Sequence, residues 1–252
     1  MRLAASRFDA SRVSAIALDL DDTLWPFQPA VERAERALHA WLVQHAPKTA
    51  GVLVTPRVLA ELRAATQRER PELAHDLSAL RRESIRTALR RADEDPSLAE
   101  AAYAVFFAER QRVVLYDDVL PSLHWLSERY PLVAVSNGNG DLELAGVHGF
   151  FRSALSAAKF GRAKPDAAIF HAAAAAAGSP CDGMLHVGDD PVLDIAGALA
   201  AGLQAAWVVR SADAAEPAWE SGGARPQLIV RSLRELCQAL GSGSARPYRA
   251  LA

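Results

Sequence analysis

The sequence predicts an α/β protein: a Rossmann-like parallel sheet core with an inserted all-helical segment. Three observations carry this. Short apolar runs recur along the chain and each stops at acidic, small or turn-forming residues, as strands buried on both faces do. Helical stretches separate the later runs, which calls for right-handed βαβ crossovers. Between the first run and the second, residues 27–113 carry helical periodicity and no strand-like run.

The first expected strand is residues 13–18 (VSAIAL), which ends at acidic residues. The pattern returns at 131–135 (PLVAV), 184–187 (MLHV) and 205–209 (AAWVV), with 227–230 as a last run. Helices are expected over 119–129, 166–177, 191–201 and 233–240. Within the insert, residues 30–44 space Val31, Ala34, Leu38, Trp41 and Leu42 along one face, and residues 56–69 follow Thr55, an N-cap candidate with Pro56 in the first turn. Residues 76–91 and 96–112 give two more helices. Proline and charge mark hinges near 26–29 and 116–118. The expected domains are a core of residues 1–26 and 114–252 and a helical cap of residues 27–113. The alanine run 172–177 reads as a closely covered helix, and the tail after Leu240 as a frayed end or linker.

Half of the 252 residues are hydrophobic and 23% are charged, which excludes disorder as the main state. Net charge is −2, so nothing draws the chain as a whole to nucleic acid or an acidic membrane, and anion recognition has to be local. Cys181 and Cys237 have no CxxC spacing, which argues against a disulfide framework or a thiolate metal site and for a cytoplasmic setting. The histidines form no HxxxH or HExxH pair, against a zinc site. Residues 1–12 carry three arginines without an apolar stretch behind them, and no run approaches the length of a membrane span.

Four segments carry chemistry. Asp19 and Asp21 follow the first apolar run, at the edge where parallel sheets place their ligand crevices. Two residues apart in an extended chain, they share a face, and a bound cation or a shared proton relieves their repulsion. The plainer alternative is an acidic turn in which Asp22 or Thr23 caps the backbone. Ser136 and Asn137 end the second run, with Gly138 and Gly140 allowing tight turns; this is either a phosphate-binding turn or an Asx-turn. Lys164 is a compact positive charge able to neutralise a phosphoryl group, or else a surface lysine. Asp190 and Pro191 have the composition of an N-cap and first helical position, which does not account for Asp189 and Asp194 as well. Oxygen-only ligands suit magnesium.

In this order, the segments resemble the haloacid dehalogenase superfamily, whose members are mostly phosphatases, over residues 13–210. The position of the insert resembles the helical cap of one large subgroup. The resemblance implies Asp19 as nucleophile and Asp21 as the acid that protonates the leaving group and then the base for water. It implies Thr23 supporting that loop, Ser136 and Asn137 on phosphate oxygens, and Lys164 balancing their charge. Magnesium would be held by Asp19, the Asp21 carbonyl and Asp189, with Asp190 and Asp194 in support.

Residues 75–76, 82–85, 131–139 and 185–190 resemble bacterial phosphatases of flavin mononucleotide and of ribitylaminouracil phosphate. Trp25 and Phe27 either stack on such a flat ring or pack the hinge. Arg82, Arg86 and Arg90 share a helical face and are either substrate contacts or a solvated stripe. The expected partner is a small phosphorylated metabolite, with no nucleic acid or membrane, and the expected state is a monomer or homodimer. The enzymatic alternative is a 2-haloacid dehalogenase. Since halide leaves without a proton, Asp21 and a magnesium cluster would then have no work. The other alternative is a binding module of the same fold without chemistry.

Overall fold

The computed structural model describes residues 8–53, 56–210, 219 and 224–241. Thr55 and the tail beyond Gly241 lie outside the described residues. The chain divides into two compact units, one of residues 1–25, 115–138 and 146–252, the other of residues 26–114 and 139–145.

The first unit holds a six-stranded sheet: β1 (Ala15–Leu18), β2 (Leu132–Ser136), β3 (Ser153–Ser156), β4 (Met184–Gly188), β5 (Gln204–Val208) and β6 (Leu228–Val230). All neighbours are parallel, in the order β3-β2-β1-β4-β5-β6. The apolar runs fix the three central strands, since β1, β2 and β4 are buried at every position. The chain builds outward from β1 to β3, then returns to β1 and builds the other way. The crevice between the diverging connections therefore opens where β1 meets β4.

β3 has no counterpart among the expected strands. It is an edge strand reading Ser-Ala-Leu-Ser, short and only partly covered, so it lacks the apolar run that marks its neighbours.

The second unit is helical: α1 (Phe27–His45), α2 (Pro47–Val52), α3 (Pro56–Glu69), α4 (Leu77–Arg91) and α5 (Ala99–Arg110). α1 begins at Phe27 rather than beyond Pro29, because proline is tolerated in a first turn whose N–H groups lack partners anyway. Leu38, Leu42, Leu59, Leu62, Ile85, Leu89 and Phe106 form its core. Asp76 caps α4 by accepting from the Ala79 N–H at 2.9 Å. Arg82, Arg86 and Arg90 are engaged on their own unit, Arg82 with Glu100, Arg86 with Glu83 and Glu100, Arg90 with Glu83. Residues 139–145 follow β2 in sequence but pack here. Gln111 donates to the Asn139 carbonyl at 3.0 Å and accepts from the Asp141 N–H at 2.8 Å.

Returning to the sheet unit, α6 (Val119–Ser127), α7 (Ala157–Phe160), α8 (Ala167–Ala177), α9 (Gly197–Ala200) and α10 (Leu233–Gly241) accompany the strands. α8 lays Ile169, Phe170, Ala173, Ala174 and Ala177 on the face formed by Ala15, Ala17, Val133 and Val135. The alanines permit this close approach. At Gly197 a Cβ would come within 2.8 Å of Pro165 and 2.9 Å of Phe170, so that position requires glycine. Among the described residues no helix is long and apolar enough to cross a membrane.

Phe170 is wholly buried at the centre of this cluster. Phe170→Ala is expected to cost about 3–5 kcal/mol in urea unfolding; a loss under about 1 kcal/mol would contradict this packing.

Candidate active site

Register decides which residues meet. Leu18 pairs with Ala134 on one side and Val187 on the other, so Asp19 leaves β1 between the ends of β2 and β4. The Asp19 N–H stays tied to the Val187 carbonyl at 2.9 Å. Ser136 closes β2, and Asp189 is the first residue past β4.

The ammonium of Lys164 joins these ends. It donates to Asp19 Oδ1 at 2.5 Å and to Asp194 Oδ1 at 2.6 Å, and all three side chains are buried. His186, inside β4 and fully buried, places Nε2 2.8 Å from the same Asp194 oxygen. Asp194 Oδ2 accepts from the Asp190 N–H at 3.1 Å. The Lys164 backbone is gripped by Asn137, whose carboxamide oxygen accepts from the Lys164 N–H at 2.8 Å and whose nitrogen donates to its carbonyl at 2.9 Å. Asn137, expected on phosphate oxygens, thus has both ends of its amide engaged with backbone.

Burial disfavours the Asp19 anion. Lys164 opposes that effect and Asp194 adds to it, leaving the Asp19 carboxyl well above the usual range. Burial also works against the Lys164 ammonium, yet the two facing carboxylates raise its pKa. For Asp194, Lys164 and His186 outweigh burial and hold the carboxyl below its ordinary value. Burial lowers the pKa of His186, against the opposing pull of Asp194. Asp189 is pushed up to about 7 by burial, then by repulsion from Asp194 and Asp22.

Beyond Asp19 the chain makes a tight turn. The Thr23 and Leu24 N–H groups return to the Leu20 carbonyl, and the Asp22 N–H donates to the Trp25 carbonyl at 2.7 Å with Asp22 in the left-handed region at φ 56°. Trp25 is fully buried and donates its indole N–H to Asp21 Oδ1 at 2.7 Å, so it packs the turn and offers no face to a flat ring. Thr23 is buried, and its carbonyl accepts from Arg210 at 2.6 Å. Arg210 also pairs with Asp118 at 2.6 Å and lies over the Tyr116 ring at 4.2 Å. Asp118 in turn accepts from the Leu233 N–H at 2.6 Å.

Two glycines allow the close approaches. A Cβ on Gly138 would fall 2.5 Å from Asp21 Oδ2 and 3.2 Å from Ser136 Oγ, and one on Gly188 would fall 2.3 Å from Asp194 Cγ. The Ser136 hydroxyl accepts from the Gly138 N–H at 2.9 Å. Asp190 caps the following π-helical turn (Pro191–Ala196), accepting from Val192 and Leu193 at 2.7 and 2.8 Å, as its place before Pro191 predicts.

Asp19, Asp189 and Asp194 can offer oxygens that all lie within 4.8 Å of one another. Were all three carboxyls ionised, the one ammonium would leave two negative charges uncompensated. An oxygen-only donor set with that excess fits a divalent cation such as magnesium.

Sequence reasoning missed His186, Asp118, Arg210 and the engagement of Trp25. His186 had a signal, a polar residue inside a wholly apolar strand that needs a buried partner. Arg210 and Asp118 had none, since their partners are remote in sequence.

Comparison with known proteins bears on this site directly. The family model described as haloacid dehalogenase-like hydrolase matches residues 13–202, which spans every residue of the site except Arg210 and Leu233. The chain belongs to the haloacid dehalogenase-like hydrolases. It is therefore an enzyme of the hydrolase class, and the expected superfamily and sheet architecture hold. Within the family, it is 34% identical over 201 residues to the 5-amino-6-(5-phospho-D-ribitylamino)uracil phosphatase YigB of Escherichia coli, covering 78% of this chain and 84% of that one. It is 30% identical over 200 residues to the glyceraldehyde 3-phosphate phosphatase of Methanopyrus kandleri, covering 76% and 82%. Among solved structures, the 2-haloacid dehalogenase of Pseudomonas syringae pv. tomato superposes with a TM-score of 0.82 at 35% identity, covering 91% of this chain and 99% of that one.

Asp189 gives the metal-free hydrolase a stability of known sign. Its pKa rises from an ordinary 3.8 to about 7, so the neutral form folds without charge repulsion, and the penalty builds as pH rises through that window. Asp189→Asn is expected to raise the melting temperature in EDTA at about pH 8 and to have little effect at about pH 4. Equal effects at the two pH values would contradict this.

Proposed function

We propose that the protein is a magnesium-dependent phosphatase that hydrolyses a small phosphate monoester through an aspartyl phosphate on Asp19. One observation carries the reading. Lys164 fixes Asp19 at the sheet edge while Asp189 and Asp194 crowd the same carboxylate, and a second carboxylate, Asp21, follows two residues on. The phosphatase names of the curated relatives support it.

Asp19 attacks phosphorus. Its new bond to phosphorus replaces the bond to the leaving oxygen, which takes a proton from Asp21. Water, deprotonated by Asp21, then displaces Asp19 and releases inorganic phosphate. Phosphoryl transfer needs in-line positioning and neutralised oxygens, which fall to Lys164, the Ser136 hydroxyl and the backbone of the 136–138 turn. Magnesium, held by Asp19, the Asp21 carbonyl and Asp189, would supply the positive charge that the cluster lacks. Asn137 positions Lys164, Thr23 anchors the turn, and Asp190 and Asp194 brace the acidic loop. In this reading residues 27–113 form the cap domain and residues 1–26 and 114–252 the core domain.

For substrate, the likeness to YigB favours a ribityl phosphate carrying a flat heterocycle, ribitylaminouracil phosphate or flavin mononucleotide. A second reading, displacement of halide from a 2-haloacid, is favoured by the Pseudomonas syringae structure. That chemistry uses the same nucleophile but has no work for a proton on Asp21.

Turnover of p-nitrophenyl phosphate is expected to vanish in EDTA, to return with magnesium, and to be lost in Asp19→Asn. Activity surviving in that variant would contradict the mechanism, and chloride release from 2-chloropropionate without phosphate release would establish the dehalogenase instead. Across phosphorylated metabolites, flavin mononucleotide and the ribitylaminouracil ester are expected to show the highest kcat/KM; a flat profile would remove the substrate assignment.

A further inference from the structure

Trp25 offers more than packing. A buried indole N–H needs an acceptor, and a ring with no exposed surface has its N–H direction set by its surroundings. The acceptor is Asp21 Oδ1 at 2.7 Å, reached across a turn closed by the Asp22 N–H on the Trp25 carbonyl. Fixing one oxygen of a carboxyl fixes the other. Asp21 Oδ2 thereby lies against Gly138, where a Cβ would fall 2.5 Å from it and 3.2 Å from the Ser136 hydroxyl. One face of Gly138 thus fronts both Asp21 Oδ2 and the hydroxyl assigned above to phosphate.

We propose that Trp25 is a positioning residue for proton transfer: by holding Oδ1, it directs Asp21 Oδ2 to give the proton to the leaving oxygen and later to take one from water. The inference rests on the phosphatase reading and adds a residue outside its catalytic set. It also accounts for a tryptophan where bulk alone would serve, since a phenylalanine fills much of the space but has no N–H to donate.

The leaving group supplies the test. A p-nitrophenolate departs without a proton, whereas the alkoxide of an alkyl ester needs one, so a misdirected Asp21 harms alkyl esters selectively. kcat/KM, which reports steps through departure of the leaving group, is measured for p-nitrophenyl phosphate and, in parallel, for flavin mononucleotide and glycerol 3-phosphate. Trp25→Phe is expected to lower the alkyl-to-aryl ratio by about tenfold or more. A purely structural loss lowers both and leaves the ratio unchanged, which would overturn the inference. Gly138→Ala displaces Oδ2 from the other side and is expected to move the ratio the same way. It also decides the matter if Trp25→Phe does not fold, an unchanged ratio then overturning the inference. A wild type that cleaves none of these esters would instead overturn the phosphatase reading itself.

Discussion

A buried ammonium is tolerable only beside carboxylates, and carboxylates packed together are tolerable only beside a cation. Lys164, Asp19 and Asp194 meet both demands at once, with nitrogen to oxygen distances of 2.5 and 2.6 Å. Removing either acid would leave the lysine half-paired, and removing the lysine would leave the acids repelling each other. The sheet exists in the form that lets this happen. Parallel register brings the ends of β1, β2 and β4 level, and Asn137, one residue past β2, clamps the Lys164 backbone from both sides.

The pairing remains short of positive charge. Asp19 and Asp189 both have raised pKa values, burial being the first cause in each. If magnesium binds as proposed, the cost of assembling the carboxylates would be offset by its binding. Around this centre the supporting contacts are made by groups with few alternatives: His186 on Asp194, Arg210 on the Thr23 carbonyl, Trp25 on Asp21. Each is buried or nearly so, which converts a modest hydrogen bond into a geometric constraint.

Much of this was legible in the sequence, for a physical reason. Strands buried on both faces must be continuous apolar runs, so β1, β2 and β4 announce themselves, and the residues at which the runs fail are the residues at the sheet edge. Asp19, Ser136 and Asp189 were found in that way. β3 was not, because an edge strand with serine at both ends needs no apolar run. Roles that depend on a distant partner were also out of reach. The resemblance put Asn137 on phosphate oxygens, yet both ends of its carboxamide bond the Lys164 backbone, and the choice between stacking and hinge packing for Trp25 turns on its burial. The arginines of α4 could be read two ways from spacing alone, and spacing did not reveal their ion pairs with Glu83 and Glu100.

The claim on which the account depends is that Asp19 becomes phosphorylated. Acid quenching during turnover, followed by borohydride reduction, converts an aspartyl phosphate to homoserine, which peptide mass spectrometry places in the chain. The account predicts homoserine at position 19 only, appearing with substrate and magnesium. Rapid phosphate release with no homoserine at that position, or with homoserine at another aspartate, would contradict it.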